Sequence, residues 1–358
     1  MNPETEFPLQ QVLDENGKLV GDRSQVTDDE LKDFYRWLVL LRTLDQRAWN
    51  LQRQGRIGTY APFSGQEAAQ IGAAAALNKG DWLCPSYRDW GALIYAGVPL
   101  YYPFLNAMGN PVSGKIPDDV NALPVQVVIA AQILHSVGLA WSSKLQNQNR
   151  VAIPFFGDGA TSQGDFHEAL NLAAVVKAPV VFVCQNNQWA ISVPISRQMN
   201  TKTIAQRALA YDIEGVRVDG NDIIAMYQTL KQMVAHARSG AGPVLVEAVT
   251  YRLGAHTTAD DPTRYRESEE AERLARREPI SRLKTYLQEA GLLSEEDIQR
   301  VDEEAKADVE DAVKKAEQYP KMAPESFFDN VYETMTDPLK KQRGQFQASL
   351  AQGGVTHG

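Results

Sequence analysis

The sequence predicts an α/β protein: a mostly parallel sheet with helices on both faces, followed by a helical C-terminal region. Three observations carry that prediction. "RVAIPFF" (150–156) and "APVVFVCQNN" (178–187) are continuous apolar runs, the pattern of strands buried on both faces. "GVRVDGND" (215–222) and "GPVLVEAVTYRL" (242–253) add two more strands, and helical patterns lie between them, as in strand–helix–strand units. From residue 268 the chain turns charged and helix-like. The expected organisation is an arm (1–26), an α/β domain (27–267) and a helical region (268–358) packed on the same domain.

The elements follow in order. Residues 1–26 are polar, broken by Pro and Gly, and without helical period. Thr27 then opens a helix, because "TDDE" places Glu30 at the third position of a capping box. Apolar residues at 31, 34, 35, 38, 41 and 44 form one stripe, and Gly55 ends it. "SGQEAAQIGAAAALNKG" reads as a second helix, capped by Ser64 with Glu67 and stopped at Gly80. Its face is small, so something packs very close to it. "DWLCPSYRDWG" holds a short strand with Tyr87, Arg88 and Asp89 just after it. "PVQVVIAAQILHSVGLAWSSKL" begins extended and becomes helical near Ala131. "GDFHEALNLAAVVK", "TIAQRALAY" and "DIIAMYQTLKQMVAHARSG" are helices between strands. Ser294 caps a helix in the C-terminal region, and "GQFQASLAQGGVTHG" reads as a fraying tail.

Composition excludes several function classes. The chain has 358 residues, 44% hydrophobic, enough to bury a sizeable core. A formal net charge of -9 argues against a broad nucleic-acid surface. No apolar run approaches the ~18 residues that a membrane-spanning helix needs. The two cysteines, Cys84 and Cys184, fit reduced, buried thiols better than a disulfide framework. "MNPETEFPLQ" reads as neither a signal nor a transit peptide, so the expected location is cytoplasmic.

In a parallel sheet of this kind, ligands bind at the carboxyl ends of the strands. The first such end reads Gly157-Asp158-Gly159-Ala160. A dinucleotide site would read G-x-G-x-x-G and carry an acid at the end of the next strand. Here the third glycine is Gly164, and the next strand ends in Gln185-Asn186-Asn187. Both departures count against a dinucleotide. Asn187 follows Asp158 by 29 residues, the length of one strand–helix–strand return, so the two can face one point. A carboxylate, an amide oxygen and a backbone carbonyl would form an incomplete octahedron suited to Mg²⁺, with ligand phosphates and water filling the rest. The glycines would admit the diphosphate that the cation carries. Alone, G-D-G or N-N is an ordinary turn; together, each directly after a buried strand, they point to a site. Tyr87 and Arg88 suit phosphate oxygens, although such a pair alone is usually a solvated one. The segment 250–267 carries Arg252 and His256, and its loop "TTADDPTRYR", polar and long, suggests a mobile cover. His167 and His236 lie in helical patterns and read as structural, His135 fits either role, and His357 is tail.

"GDGATSQGD" and "QNNQWAIS" together resemble the thiamine-diphosphate signature. "GRIGTYAPFSGQEAAQIG", "SYRDWG" and "YRLGAHTTADDPTRYR" resemble the alpha subunit of the first, decarboxylating component of 2-oxo acid dehydrogenase complexes, of pyruvate or branched-chain type. The resemblance covers about residues 8–345. It implies the thiamine-diphosphate-binding fold, with this chain as its diphosphate-binding half. Asp158 and Asn187 would hold Mg²⁺ with the backbone carbonyl of Trp189. Gly157, Gly159 and Ala160 would line the diphosphate, and Tyr87, Arg88 and Arg252 would bind its oxygens. The backbone near Ile129 would contact the aminopyrimidine. His256 would sit at the entrance, beside phosphate and substrate, as the catalytic candidate.

The carboxylate that activates the cofactor has no motif in this chain, and in the family a beta subunit supplies it. The resemblance thus implies an α2β2 heterotetramer with a shared active site. The reaction implied is oxidative decarboxylation of a 2-oxo acid, then reductive acylation of the lipoyl domain of a dihydrolipoyl acyltransferase. Pyruvate is favoured, partly because some branched-chain relatives carry Glu at position 158. The loop "NAMGNPVSGKIPDDVN" lacks the histidine of Gram-positive pyruvate-type relatives, which keeps the branched-chain acids open. Thr257 stands where mitochondrial relatives carry a regulatory serine. An NAD-dependent oxidoreductase and a non-catalytic assembly subunit are further alternatives.

Overall fold

The computed structural model describes residues 7–329 and 331–352. Residues 1–6, 330 and 353–358, with the start of the arm and His357, lie outside the described residues. The chain forms two compact units, one ending at Ala316 and one beginning at Glu317.

The first unit opens with β1 (Leu9–Gln10), α1 (Asp28–Arg53), α2 (Glu67–Ala75), β2 (Trp82–Cys84), α3 (Trp90–Tyr95), α4 (Tyr102–Ala107) and α5 (Ala131–Leu145). Next come β3 (Ala152–Gly157), α6 (Gly164–Val176), β4 (Val181–Asn186), the hairpin β5 (Trp189–Ala190) and β6 (Val193–Pro194), and α7 (Ile195–Gln198). β7 (Glu214–Asp219), α8 (Ile223–Arg238) and β8 (Val244–Val249) complete the sheet. α9 (Ser268–Ala275), α10 (Pro279–Glu289) and α11 (Glu295–Glu317) follow. In the second unit α12 spans Asp337–Ala351, so much of the stretch read as a fraying tail is helical. Among the described residues no helix is long and apolar enough to cross a membrane.

Six strands form one parallel sheet in the order β1-β7-β8-β4-β3-β2. β3, β4 and β8 are fully buried or nearly so, as their unbroken apolar sequences require. The register sets Gly157 opposite Gln185, and Asn186 opposite Val249. The glycine turn, Asn187 and the Arg252 segment therefore leave the sheet side by side. Thr27 and Glu30 make the predicted capping box, and the α1 stripe is buried. α10 packs against α1 and buries Leu283 and Leu287, which is why this part of the C-terminal region belongs to the first unit.

Three local features differ from the sequence reading. Part of the arm is the edge strand β1, and the Asp222 carboxylate accepts the N–H groups of Val12 (2.7 Å) and Leu13 (2.6 Å). A two-residue strand leaves no periodicity to read. Ser64 does not cap α2; its hydroxyl and N–H donate to the buried Asp45 on α1, and Gln66 takes the cap position. The segment Ala205–Tyr211 is a 3₁₀ helix.

The small face of α2 is used within the chain: it packs on α8, and a Cβ on Gly72 would lie 2.7 Å from Met226 Cβ and 3.1 Å from the Tyr227 nitrogen. Gly72→Val is expected to lower unfolding stability by about 3 kcal/mol, the upper end for overpacking. Urea denaturation checks this, and an unchanged midpoint would contradict the packing.

Candidate functional site

β3 ends at Gly157, and a 3₁₀ turn over Asp158–Ser162 leads into α6. Neither Gly157 nor Gly159 has a positive φ, so backbone conformation does not demand them. Gly159 lies under the β5–β6 hairpin, where an added Cβ would sit 3.0 Å from Ala190 Cβ. A Cβ on Gly157 would meet nothing within 4 Å, because that position opens on the cleft. Asp158 is buried, and its Oδ2 has no hydrogen-bond partner among the described residues. Burial pushes its carboxyl up to about 7; Glu247 adds to the rise and Arg252 opposes it. A buried carboxylate oxygen left without a partner is costly and suits a cation. The Asp158 carbonyl accepts from Thr161 Oγ1 (2.7 Å) and from Gln198 Nε2.

Asn187 stands at the end of β4, the neighbouring strand. Its Nδ2 donates to Gln66 Oε1 (2.8 Å), and its Oδ1 accepts the Trp189 N–H (3.1 Å). These bonds fix the amide, and the oxygen keeps a lone pair for another partner. Behind it lies a buried amide network. Gln66 and Gln70 both donate to Gln185 Oε1 at 3.3 Å, and Gln185 donates to Asp89. Gln66 and Gln70 were not singled out from the sequence. The available signal was Gln185, a polar residue inside an otherwise apolar strand.

The other wall is basic. Arg88 donates to the Pro62 carbonyl, to the His256 carbonyl (3.0 Å) and to His256 Nδ1 (3.2 Å). With Nδ1 accepting, the His256 proton resides on Nε2. Tyr87 meets the His256 ring edge-on at 6.2 Å. Arg252 is fully buried, and its Nη2 has no hydrogen-bond partner among the described residues. Arg266 lies over the Tyr251 ring (5.0 Å) and donates to the Arg252 carbonyl (2.9 Å). Burial, Arg88 and Arg266 together pull Arg252 down to about 9. Burial, Arg88 and Arg252 pull His256 down to about 4 from its ordinary 6.5. In the cofactor-free protein the His256 ring C–H resonances are thus expected to show no titration midpoint above about pH 5; an ordinary midpoint near 6.5 would contradict this geometry.

The segment read as a mobile cover is anchored. Thr258 N–H donates to the Tyr60 carbonyl (2.8 Å), Tyr60 N–H donates to Thr258 Oγ1 (3.0 Å), and Leu253 N–H donates to the Ser64 carbonyl (2.9 Å). Asp45, which holds the 60–64 turn, thus braces this loop as well.

One cleft of about 580 Å³ brings together every residue selected from the sequence: Tyr87, Arg88, Ile129, Gly157, Asp158, Gly159, Ala160, Asn187, Trp189, Arg252 and His256. Ile129 lines it together with Val127 and Val128, all three of them exposed. Next to them Ala130 takes a left-handed φ of 73° where α5 begins. Such backbone conformations in a non-glycine residue concentrate at functional sites. His135, His167 and His236 lie outside the cleft, and His167 Nδ1 pairs with the Tyr211 hydroxyl at 2.6 Å.

Residues 35–325 match the family model described as the dehydrogenase E1 component. The chain belongs to the dehydrogenase E1 component family. This family is thiamine-diphosphate dependent and its members are oxidoreductases, which sets aside the nicotinamide alternative. Staphylococcus aureus (strain Mu50) has a relative named pyruvate dehydrogenase E1 component subunit alpha, 43% identical over 95% of this chain and 92% of the relative. The proteins of the same name in Bacillus cereus and Bacillus subtilis (strain 168) are 43% and 44% identical, over 94% and 93% of this chain and 92% and 90% of theirs. The fold agrees: a six-stranded parallel sheet flanked by helices is consistent with an α/β thiamine-diphosphate-binding fold.

Proposed function

We propose that this chain is the alpha subunit of a pyruvate dehydrogenase E1 component and holds the diphosphate end of thiamine diphosphate through Mg²⁺. The observation that carries the reading is the buried Asp158 Oδ2, without a hydrogen-bond partner among the described residues, on a residue that lines the same cleft as Asn187. Asp158, the Asn187 amide oxygen and the Trp189 carbonyl supply hard oxygens for the ion. Gly157 leaves room for the diphosphate, and Gly159 and Ala160 line the same cleft. Arg252 Nη2, buried and otherwise without a partner among the described residues, supplies a charge-assisted donor to it, and Arg88 and Tyr87 line the same wall.

When bound, the cofactor supplies the electron sink for decarboxylation of a 2-oxo acid. His256 stands between this anionic end and the open cleft, neutral, with its proton on Nε2, where it can donate to a phosphate or substrate carboxylate oxygen. The apolar rim at Val127, Val128 and Ile129 suits burial against a beta subunit that completes the site in an α2β2 assembly. The assembly passes its acyl group to a lipoyl domain.

The test is dye reduction driven by a panel of 2-oxo acids, with the chain alone and with its beta subunit. Activity only in the mixture, with pyruvate preferred, is the expected result. Preference for a branched-chain acid would overturn the substrate assignment, and activity of the chain alone would overturn the shared site.

A further inference from the structure

Glu247 lies in the middle of β8, opposite Cys184 of β4 and Arg217 of β7, and is 1% exposed. A carboxylate at such a place needs donors. It has three. Oε2 accepts the N–H groups of Ile204 (2.8 Å) and Ala205 (3.0 Å), and Oε1 accepts Asn186 Nδ2 (2.7 Å). Arg217 Nε stays 4.0 Å away, beyond hydrogen-bonding distance.

Each bond leads to the candidate cation site. With its Nδ2 on Glu247, Asn186 turns Oδ1 to the Gln188 N–H (3.0 Å). Gln188 is left-handed, with φ 70°, a conformation a non-glycine residue keeps only when its surroundings hold it. That residue is the middle of the turn between Asn187 and Trp189. On the other side, Ile204 and Ala205 start the 3₁₀ helix that carries Arg207, and Arg207 Nη1 donates to the Thr161 carbonyl (2.7 Å). Thr161 belongs to the turn of Asp158 and bonds its carbonyl. Both halves of the site are thus tied back to one carboxylate.

We propose that Glu247 is a positioning residue for the cation site, aligning the turn of Asn187 and Trp189 with the turn of Asp158. This inference rests on the Mg²⁺ assignment made above. Glutamine cannot replace it, because one of its terminal atoms donates. Either the two backbone N–H groups or the Asn186 amide would then face a donor. Asn186 cannot flip to compensate without turning its amide against Gln188 N–H.

The test measures thiamine diphosphate binding by calorimetry as a function of Mg²⁺ concentration, in the assembled enzyme. Glu247→Gln should raise the Mg²⁺ concentration for half-maximal binding by about 10- to 100-fold, as loss of a ligand-orienting partner does. The paired swap Asn186→Asp with Glu247→Gln restores every donor to an acceptor and should return the value to within about threefold of wild type. A folded Glu247→Gln enzyme with wild-type Mg²⁺ dependence would overturn the proposal. So would a folded double variant about tenfold or more weaker than wild type, and that arm decides alone if the single variant does not fold. Wild-type enzyme that binds without Mg²⁺ would instead overturn the cation assignment, and this inference with it.

Discussion

Asp158→Asn is expected to weaken Mg²⁺-dependent thiamine diphosphate binding by at least about 100-fold, ~2.7 kcal/mol, and yet to stabilise the cofactor-free protein. The first effect follows from removing the one carboxylate that the cleft offers between Gly157 and Gly159. The second follows from the position of that carboxylate. Burial raises its pKa from 3.8 to about 7, so the folded chain prefers it protonated while the unfolded chain ionises it. For this group, stability is full below pH 3.8, falls as pH rises toward 7, and stays low above that. A shift of this size corresponds to on the order of 4 kcal/mol. Asparagine carries no such penalty. At pH 8 the variant should unfold at a higher temperature than wild type, and near pH 4 the two should converge. A variant less stable than wild type at pH 8 would show that Asp158 is held by partners within the fold rather than kept for a cation.

Arg252→Gln is expected to raise the Kd for thiamine diphosphate by roughly 10- to 150-fold, from loss of about 1.5–3 kcal/mol of charge-assisted hydrogen bonding. Arg252 is buried beside Arg88 and Arg266, and its Nη2 has no partner among the described residues. Three guanidinium groups this close repel one another unless an anion lies among them. The same substitution has a second, independent readout. Arg252 helps hold His256 down at about 4, so its removal should move the His256 midpoint up toward 6.5. Unchanged cofactor affinity together with an unchanged His256 midpoint would place the Arg252 charge away from both.

The strands at the heart of the sheet were legible because burial on both faces leaves an unbroken apolar run, as in "PVVFV". The cation site was legible because its two side chains sit directly past such runs, one strand–helix–strand return apart. Arg252 and His256 were legible for the same reason, past β8. What the sequence concealed depends on contacts between distant segments. Ser64 and Glu67 have capping-box spacing, but Asp45 of α1 takes the serine and Arg42 takes Glu67 at 2.6 Å. The small face of α2 reads equally well as a subunit contact or as an internal one, and only the position of α8 decides. Gln66 and Gln70 carry no pattern, since a network needs three segments to meet. Glu247 reads as one polar residue in an apolar strand, and its role becomes visible only when Asn186, Ile204 and Ala205 converge on it.

The proposed function depends on Asp158 binding a cation that carries a diphosphate. The most direct measurement is calorimetric titration of thiamine diphosphate into the assembled enzyme near pH 7, with Mg²⁺ and with a chelator, in buffers of different ionisation enthalpy. The expected result is binding only with Mg²⁺, accompanied by release of a fraction of a proton as the Asp158 carboxyl, poised at about 7, ionises to meet the ion. Equal affinity in the presence of the chelator, with no proton released, would contradict it.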